Sequence, residues 1–155
     1  LNLGGGLGIV ETNEDKQLDL EKFNSQFDCV EIPLRMEPGR FLVADSGILV
    51  CKVTGFNMKK DKIYMGISCG MNALLRPILY NSFHSIYNIS KLDQESNVKY
   101  DVVGQICESG DVFARNYLLP KSDLGDIIII SNVGAYGHVM ASHYNNQDIP
   151  YEMIL

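Results

Sequence analysis

Apolar positions along this chain change their spacing between Arg40 and Ser46. Before that boundary, residues 1–3 read as the end of a strand and residues 4–8 as a glycine loop after it. Leu18, Phe23 and Phe27 then fall near helical spacing, with Asp19 and Glu21 in the first turn, where carboxylates suit the helix dipole. Residues 32–36 form a second apolar run ending at Glu37. Strand, loop, helix and strand in this order are an α/β signature, and the two strands are expected to be parallel.

Beyond the boundary the elements shorten and turn β-branched and aromatic. Residues 48–56 and 63–67 read as strands separated by the turn Lys59-Lys60-Asp61, followed by strands at 85–89, 100–106 and 127–133. Leu124-Gly125-Asp126 is a turn feeding the strand at 127, and residues 151–155 read as a last strand. Short strands without long intervening helices predict an antiparallel sandwich or barrel. The fold class is therefore mixed α/β and β, with units at residues 1–45 and 46–155. The opening Leu1-Asn2-Leu3 has neither an initiator methionine nor a signal-peptide pattern, and reads as a strand entering from a longer chain.

Composition narrows the chemistry. The net charge of -6 leaves no basic footprint for nucleic acid. No apolar run approaches the length of a membrane span. Cys29, Cys51, Cys69 and Cys107 are scattered, without zinc spacing or a disulfide framework, as in reduced cytoplasmic proteins. No metal site is expected.

Five short motifs carry the remaining signal. Gly4-Gly5-Gly6-Leu7-Gly8 could offer backbone N–H groups to a phosphate at a helix N-terminus, or be only a tight turn. It lacks the Gly-Lys-Ser/Thr ending of an ATP-binding loop, which weighs against a nucleotide-binding domain. Glu37-Pro38-Gly39-Arg40 ends a buried strand, where parallel sheets place their sites; Glu37 could accept from a ring nitrogen and Arg40 could fork onto a phosphate or carboxylate. A structural Arg–Glu pair is the plain alternative. Arg76 and Tyr80 are four apart, so a helix puts them on one face, able to grip a carboxylate; a solvated arginine is the commoner fate. Cys107-Glu108-Ser109-Gly110-Asp111 aims a thiol out of a strand end, as a nucleophile, a proton donor or a bystander. Gly134-Ala135-Tyr136-Gly137 places a tyrosine at an element junction. His84 reads as a packed core histidine.

In this order the motifs resemble the C-terminal half of the pyridoxal-phosphate-dependent diaminopimelate decarboxylases, of the alanine racemase-like barrel fold. The resemblance implies that residues 1–45 end a TIM-type (β/α)8 barrel and residues 46–155 form the C-terminal β domain. It implies pyridoxal 5'-phosphate as cofactor, with Gly6, Glu37, Gly39, Arg40 and Tyr136 facing it, and Glu37 pairing with the pyridinium nitrogen. Arg40, Arg76, Tyr80, Glu108 and Tyr136 would contact the amino-acid substrate, and Cys107 would return a proton to the substrate carbon after CO2 leaves. Cys107 and Glu108 would serve the neighbouring subunit's site in a homodimer with shared active sites. The lysine that holds the cofactor lies upstream of the glycine loop in that family, so the chain by itself is expected to be inactive. Cys69 stands where many relatives carry an acidic residue, and the stretch from Gly8 to Glu37 is short for the family. The runs around residues 82–88 and 137–140 resemble forms fused to an aspartate kinase. Decarboxylases of ornithine, arginine or carboxynorspermidine share much of the layout, and a non-catalytic module of the same fold is the remaining alternative.

Overall fold

Two strands joined by a tight turn organise the sheet. The computed structural model describes residues 1–12 and 14–155. In it, β1 (Leu49–Lys59) and β2 (Lys62–Ile67) form an antiparallel hairpin whose turn places Lys60 at a φ of 55°. β1 alternates over its first half, burying Cys51 and Val53, and β2 buries Met65 and Ile67 on the same side. This period of two is what a half-buried strand requires. After α3 (Arg76–Tyr80) come β3 (Ile86–Asn88), β4 (Val98–Val103), β5 (Val112–Leu119) and β6 (Ile127–Ile130). The strands form one sheet in the order β3-β6-β1-β2-β4-β5. Its two edges meet where the Ile86 amide of β3 donates to the Tyr117 hydroxyl of β5 at 2.9 Å, so the sheet curls into a nearly closed barrel. The core inside includes Met65, Leu74, Val102, Leu119, Ile128 and Ile130.

The sheet is not wholly antiparallel as the strand pattern predicts: β2 and β4 run parallel, with Ile63 opposite Tyr100. The connection between them, carrying α3 and β3, is long enough for the crossover a parallel pair needs. The strand predicted at 100–106 is β4, Val98–Val103, and stops where Gly104 begins a loop. The predicted 85–89 and 127–133 strands contract to β3 and β6. β5 has no counterpart in the sequence reading. Its alternation is broken at Asn116, whose φ is 51° and whose amide donates to the buried Asp101 carboxylate at 2.8 Å. Residues 151–155 form no strand and are exposed.

The segment before β1 is built differently. Parallel contact between its predicted strands reduces to one bridge, Asn2 with Arg35, flanked by Leu3 N–H to Arg35 O and Arg35 N–H to Leu1 O, both 2.9 Å. α1 (Leu20–Ser25) begins after Asp19, which accepts from the Lys22 amide at 2.9 Å as its N-cap rather than lying in the first turn. α2 (Arg40–Val43) follows Gly39 directly and passes into a 3-10 turn at Ala44–Ser46. Ala44 is the first buried hydrophobic residue of the core among the described residues. Among them, no helix is long and apolar enough to cross a membrane.

Candidate functional site

The glycine loop is fastened to the Glu37 segment. The Glu37 amide donates to the Gly4 carbonyl at 2.7 Å. Asn2 adds a second link, its Nδ2 donating to Glu37 Oε1 at 2.6 Å and its Oδ1 accepting from the Gly4 amide at 2.8 Å. Gly6 has a φ of 85° and open space in front of its Cα, a conformation side chains resist. The helix expected after the loop is α1, but it begins only at Leu20, so among the described residues no helix N-terminus adjoins the glycines. Any phosphate held here would meet loop amides without a helix dipole.

Gly39 faces the Gly134-Ala135-Tyr136-Gly137 turn. A Cβ on Gly39 would stand 2.7 Å from the Tyr136 hydroxyl, so a side chain there would displace the tyrosine from its present place. Tyr136 is 48% exposed with a φ of 58°. The turn is locked by the Gly134 amide donating to the Ala44 carbonyl at 2.9 Å, with the Gly134 Cα packed against the Val43 carbonyl. Beside them Arg40 forms a half-buried ion pair with Glu11. Glu11 is itself anchored, its carbonyl accepting from Ser85 Oγ at 3.0 Å.

Arg76 and Tyr80 come together as their spacing predicts, the guanidinium lying 5.6 Å from the Tyr80 ring centroid. Arg76 is not solvated: it is only 9% exposed, and among the described residues its Nε has no hydrogen-bond partner. Burial lowers its pKa from the ordinary arginine value, and the Arg40 charge acts the same way, while Glu11, Tyr80 and Tyr136 oppose both. A guanidinium nevertheless keeps its charge at neutral pH. Arg40, Arg76, Glu11, Tyr80 and Tyr136 therefore share one electrostatic neighbourhood with two cations to one carboxylate. Such a surplus suits an anion.

His84 packs next to this group as a core histidine. Its Nδ1 meets the Ser131 carbonyl at 2.9 Å, and burial holds its pKa below the usual value. Cys107 and Glu108 are exposed on the loop between β4 and β5. Glu108 accepts from the Gly110 amide at 3.3 Å. Among the described residues, no hydrogen bond or ion pair connects Cys107 or Glu108 to Glu37, Arg40 or Tyr136. The loop is held from below by Asp111, whose two carboxylate oxygens accept from the Ile106 and Met71 amides at 2.7 Å each. One buried side chain thus ties the Cys107 loop to the loop that leads into α3. Among the described residues, no group of three His, Cys, Asp or Glu side chains is placed to hold a metal ion.

Two residues of this neighbourhood escaped the sequence reading. Glu11 carried no signal, because its partner Arg40 lies 29 residues away. Asp111 closed a quoted motif, and its signal was a lone acid between a glycine turn and an apolar strand.

A small, nearly closed barrel presents Arg76, Tyr80 and Tyr136 at its junction with the preceding segment, which adds Arg40 and the Gly39 turn: the layout of a C-terminal sheet domain packed against a preceding unit. Residues 27–134 match the family described as pyridoxal-dependent decarboxylase, C-terminal sheet domain, and the chain belongs to that family. It is 36% identical to the diaminopimelate decarboxylase of Methanothermobacter thermautotrophicus, the match covering all of this chain and 39% of that protein. It is 41% identical to the diaminopimelate decarboxylase of Methanocaldococcus jannaschii, over 97% of this chain and 36% of the relative. Among solved structures, the Helicobacter pylori diaminopimelate decarboxylase complexed with L-lysine superposes with a TM-score of 0.79 at 36% identity, over 93% of this chain and 36% of that one. The chain spans about two fifths of the length of such curated relatives.

Proposed function

We propose that this chain is the C-terminal portion of a decarboxylase that converts meso-2,6-diaminopimelate to L-lysine and CO2. The observation that carries the reading is the buried Arg76, whose Nε has no hydrogen-bond partner among the described residues, beside Arg40 and Tyr136. Such a group recovers its lost hydration when a carboxylate enters and accepts from its fork. A substrate with two amino-acid ends needs a separate grip at each, and Arg76 with Tyr80 suits the carboxylate that is retained.

The residues fit pyridoxal 5'-phosphate. The Gly6 loop is open, Gly39 leaves a cradle that a Cβ would fill, and the surplus cation is Arg76. Gly6, Glu37, Gly39, Arg40 and Tyr136 would hold the cofactor. When bound, it supplies an electron-withdrawing ring that accommodates the electron pair left on carbon as CO2 departs. Glu37, oriented by Asn2, would accept a hydrogen bond from a protonated ring nitrogen and favour its charged form. Arg40, Arg76, Tyr80, Tyr136 and Glu108 fix the substrate, with Glu108 taking its distal ammonium. The Cys107 thiol delivers a proton to the carbon that lost the carboxylate. Exposure of Cys107 and Glu108 supports their serving a second subunit's site, hence a homodimer, and four free cysteines suit the reducing cytoplasm. Residues 1–45 would close the cofactor barrel and 46–155 would be the β domain; the core's beginning at Ala44 supports that division.

Arg76→Met in the whole protein tests the reading. Losing a charge-assisted pair, about 2 kcal/mol, should raise the KM for meso-diaminopimelate about 30-fold with a smaller change in kcat. An unchanged KM, or turnover of ornithine or arginine with none of meso-diaminopimelate, would overturn it.

A further inference from the structure

Two of the four cysteines lie outside this site and inside the core. Cys51 and Cys69 are 4% and 6% exposed, whereas Cys29 and Cys107 are exposed. The β1–β2 register sets Val53 opposite Ile67. One step further, the Ser68 amide donates to the Lys52 carbonyl at 2.8 Å, and the Lys52 amide donates to Ser68 Oγ at 2.9 Å. The next step therefore sets Cys51 opposite Cys69. Because Lys52 and Ser68 carry the ladder bonds, the cysteines occupy a non-hydrogen-bonded position, where Cα atoms lie about 4.5 Å apart and side chains approach most closely. A disulfide spans Cα separations of roughly 4.4–6.8 Å. Both side chains enter one core with Val53 and Ile67. The Cys51 thiol donates to the Ile128 carbonyl at 3.6 Å, and the Cys69 thiol lies within hydrogen-bond reach of Cys51. That contact and burial push the Cys69 pKa up.

We propose that Cys51 and Cys69 are a cross-strand dithiol that a low-molecular-weight disulfide, such as oxidised glutathione, converts to an intramolecular disulfide. The thiolate of one cysteine attacks the glutathione disulfide, breaking its S–S bond, releasing one glutathione thiolate and forming a mixed disulfide. The second cysteine attacks the protein sulfur of that mixed disulfide and releases the other glutathione. Two protein thiols lose two electrons and two protons, and one oxidised glutathione becomes two reduced ones. Burial shields both sulfurs from the tripeptide, so the exchange proceeds through transient opening of the β1–β2 end. Cys29 and Cys107, each without a neighbouring thiol, stop at mixed disulfides. The new bond tethers to β1 the loop Cys69-Gly70-Met71, which leads into the helix bearing Arg76.

Peptide mapping tests this directly. The protein is exposed to oxidised glutathione both as folded and while refolding from urea, then acid-quenched, alkylated and digested with trypsin. Cys51 falls in peptide 41–52 and Cys69 in peptide 63–91, because Pro77 blocks cleavage after Arg76. The expected result is these two peptides joined, two hydrogens lighter than their sum, with peptides 23–35 and 100–115 carrying glutathione instead. In Cys51→Ser the link disappears and Cys69 remains a thiol or a mixed disulfide. Absence of the 41–52/63–91 link under both conditions, or preferential linkage of either cysteine to Cys29 or Cys107, would overturn the proposal. The wild-type map decides the matter even if the variant fails to fold.

Discussion

Replacing Asp111 with alanine would remove a carboxylate that holds two loops of the site in register. The side chain is 3% exposed, and its two oxygens accept from the Met71 and Ile106 amides at 2.7 Å each. A hydrogen bond to a charged acceptor contributes about 1.5–3 kcal/mol, so the pair is worth about 3–6 kcal/mol before any offset. The offset is burial of the charge: it raises the Asp111 pKa, outweighing the two N–H bonds that lower it. Alanine relieves that burial cost while leaving two amides without their acceptor, so the net loss should be about 3 kcal/mol. For a chain of this size that is a fall in Tm of about 6–12 °C. Urea denaturation measures it, and amide hydrogen exchange locates it: Met71 and Ile106 should lose protection together. A loss under about 1 kcal/mol, or deprotection of only one of the two amides, would refute the argument that one carboxylate clamps both loops. The pH dependence adds a check on sign. Because the folded-state pKa is raised, the folded chain binds the proton more tightly than the unfolded one. Stability from this group is therefore full below the ordinary aspartate pKa and declines as pH rises through the raised value. Asp111→Asn should remove that decline.

Three further substitutions probe the neighbourhood. Gly39→Ala puts a Cβ 2.7 Å from the Tyr136 hydroxyl, which can swing aside because the ring is half exposed; pyridoxal phosphate affinity of the whole protein should fall about tenfold, about 1.4 kcal/mol, with little change in Tm, and unchanged affinity would remove Gly39 and Tyr136 from the cofactor cradle. Gly134→Ala puts a Cβ 2.0 Å from the Val43 carbonyl, which is backbone and cannot swing; it should cost about 2–3 kcal/mol in denaturation, and a neutral result would mean that the seam shifts freely. His84 carries a depressed pKa, so its stability contribution is present above the unfolded histidine value and lost as pH falls through the lowered one. His84→Phe should flatten that acid-side loss in a pH series of thermal melts, and an unaltered slope would place the titration elsewhere.

The polar motifs were legible because each is short and its geometry is local. Arg76 and Tyr80 needed only a helical turn to meet, and α3 supplies it. The parallel pairing of β2 with β4 was not legible, since it depends on how a long connection folds back and not on any pattern inside either strand. β5 escaped because Arg115 and Asn116 interrupt its apolar alternation; their role appears only with the buried Asp101 beside them, which accepts from the Asn116 amide and lies 3.8 Å from Arg115. The Arg40–Glu11 ion pair also joins positions far apart in sequence. Local geometry was readable; long-range partners were not.

That division explains why the candidate site sits where it does. Residues 1–43 contribute no buried hydrophobic residue to the core among the described residues, yet they supply Glu37, Gly39, Arg40 and Glu11. The sheet domain supplies Arg76, Tyr80 and Tyr136 from segments anchored in that core. The two sets are joined through backbone carbonyls of the first segment: Ala44 O accepts from Gly134 N–H, Glu11 O from Ser85 Oγ and Val10 O from Asn132 Nδ2 at 3.3 Å. Backbone links fix position without depending on which side chains line the site. A seam of this kind lets the arginines and tyrosines at its surface change without unfolding the barrel. Changes at Gly134 should therefore weaken stability and site together, whereas changes at Arg76 or Gly39 should weaken the site while largely sparing the fold.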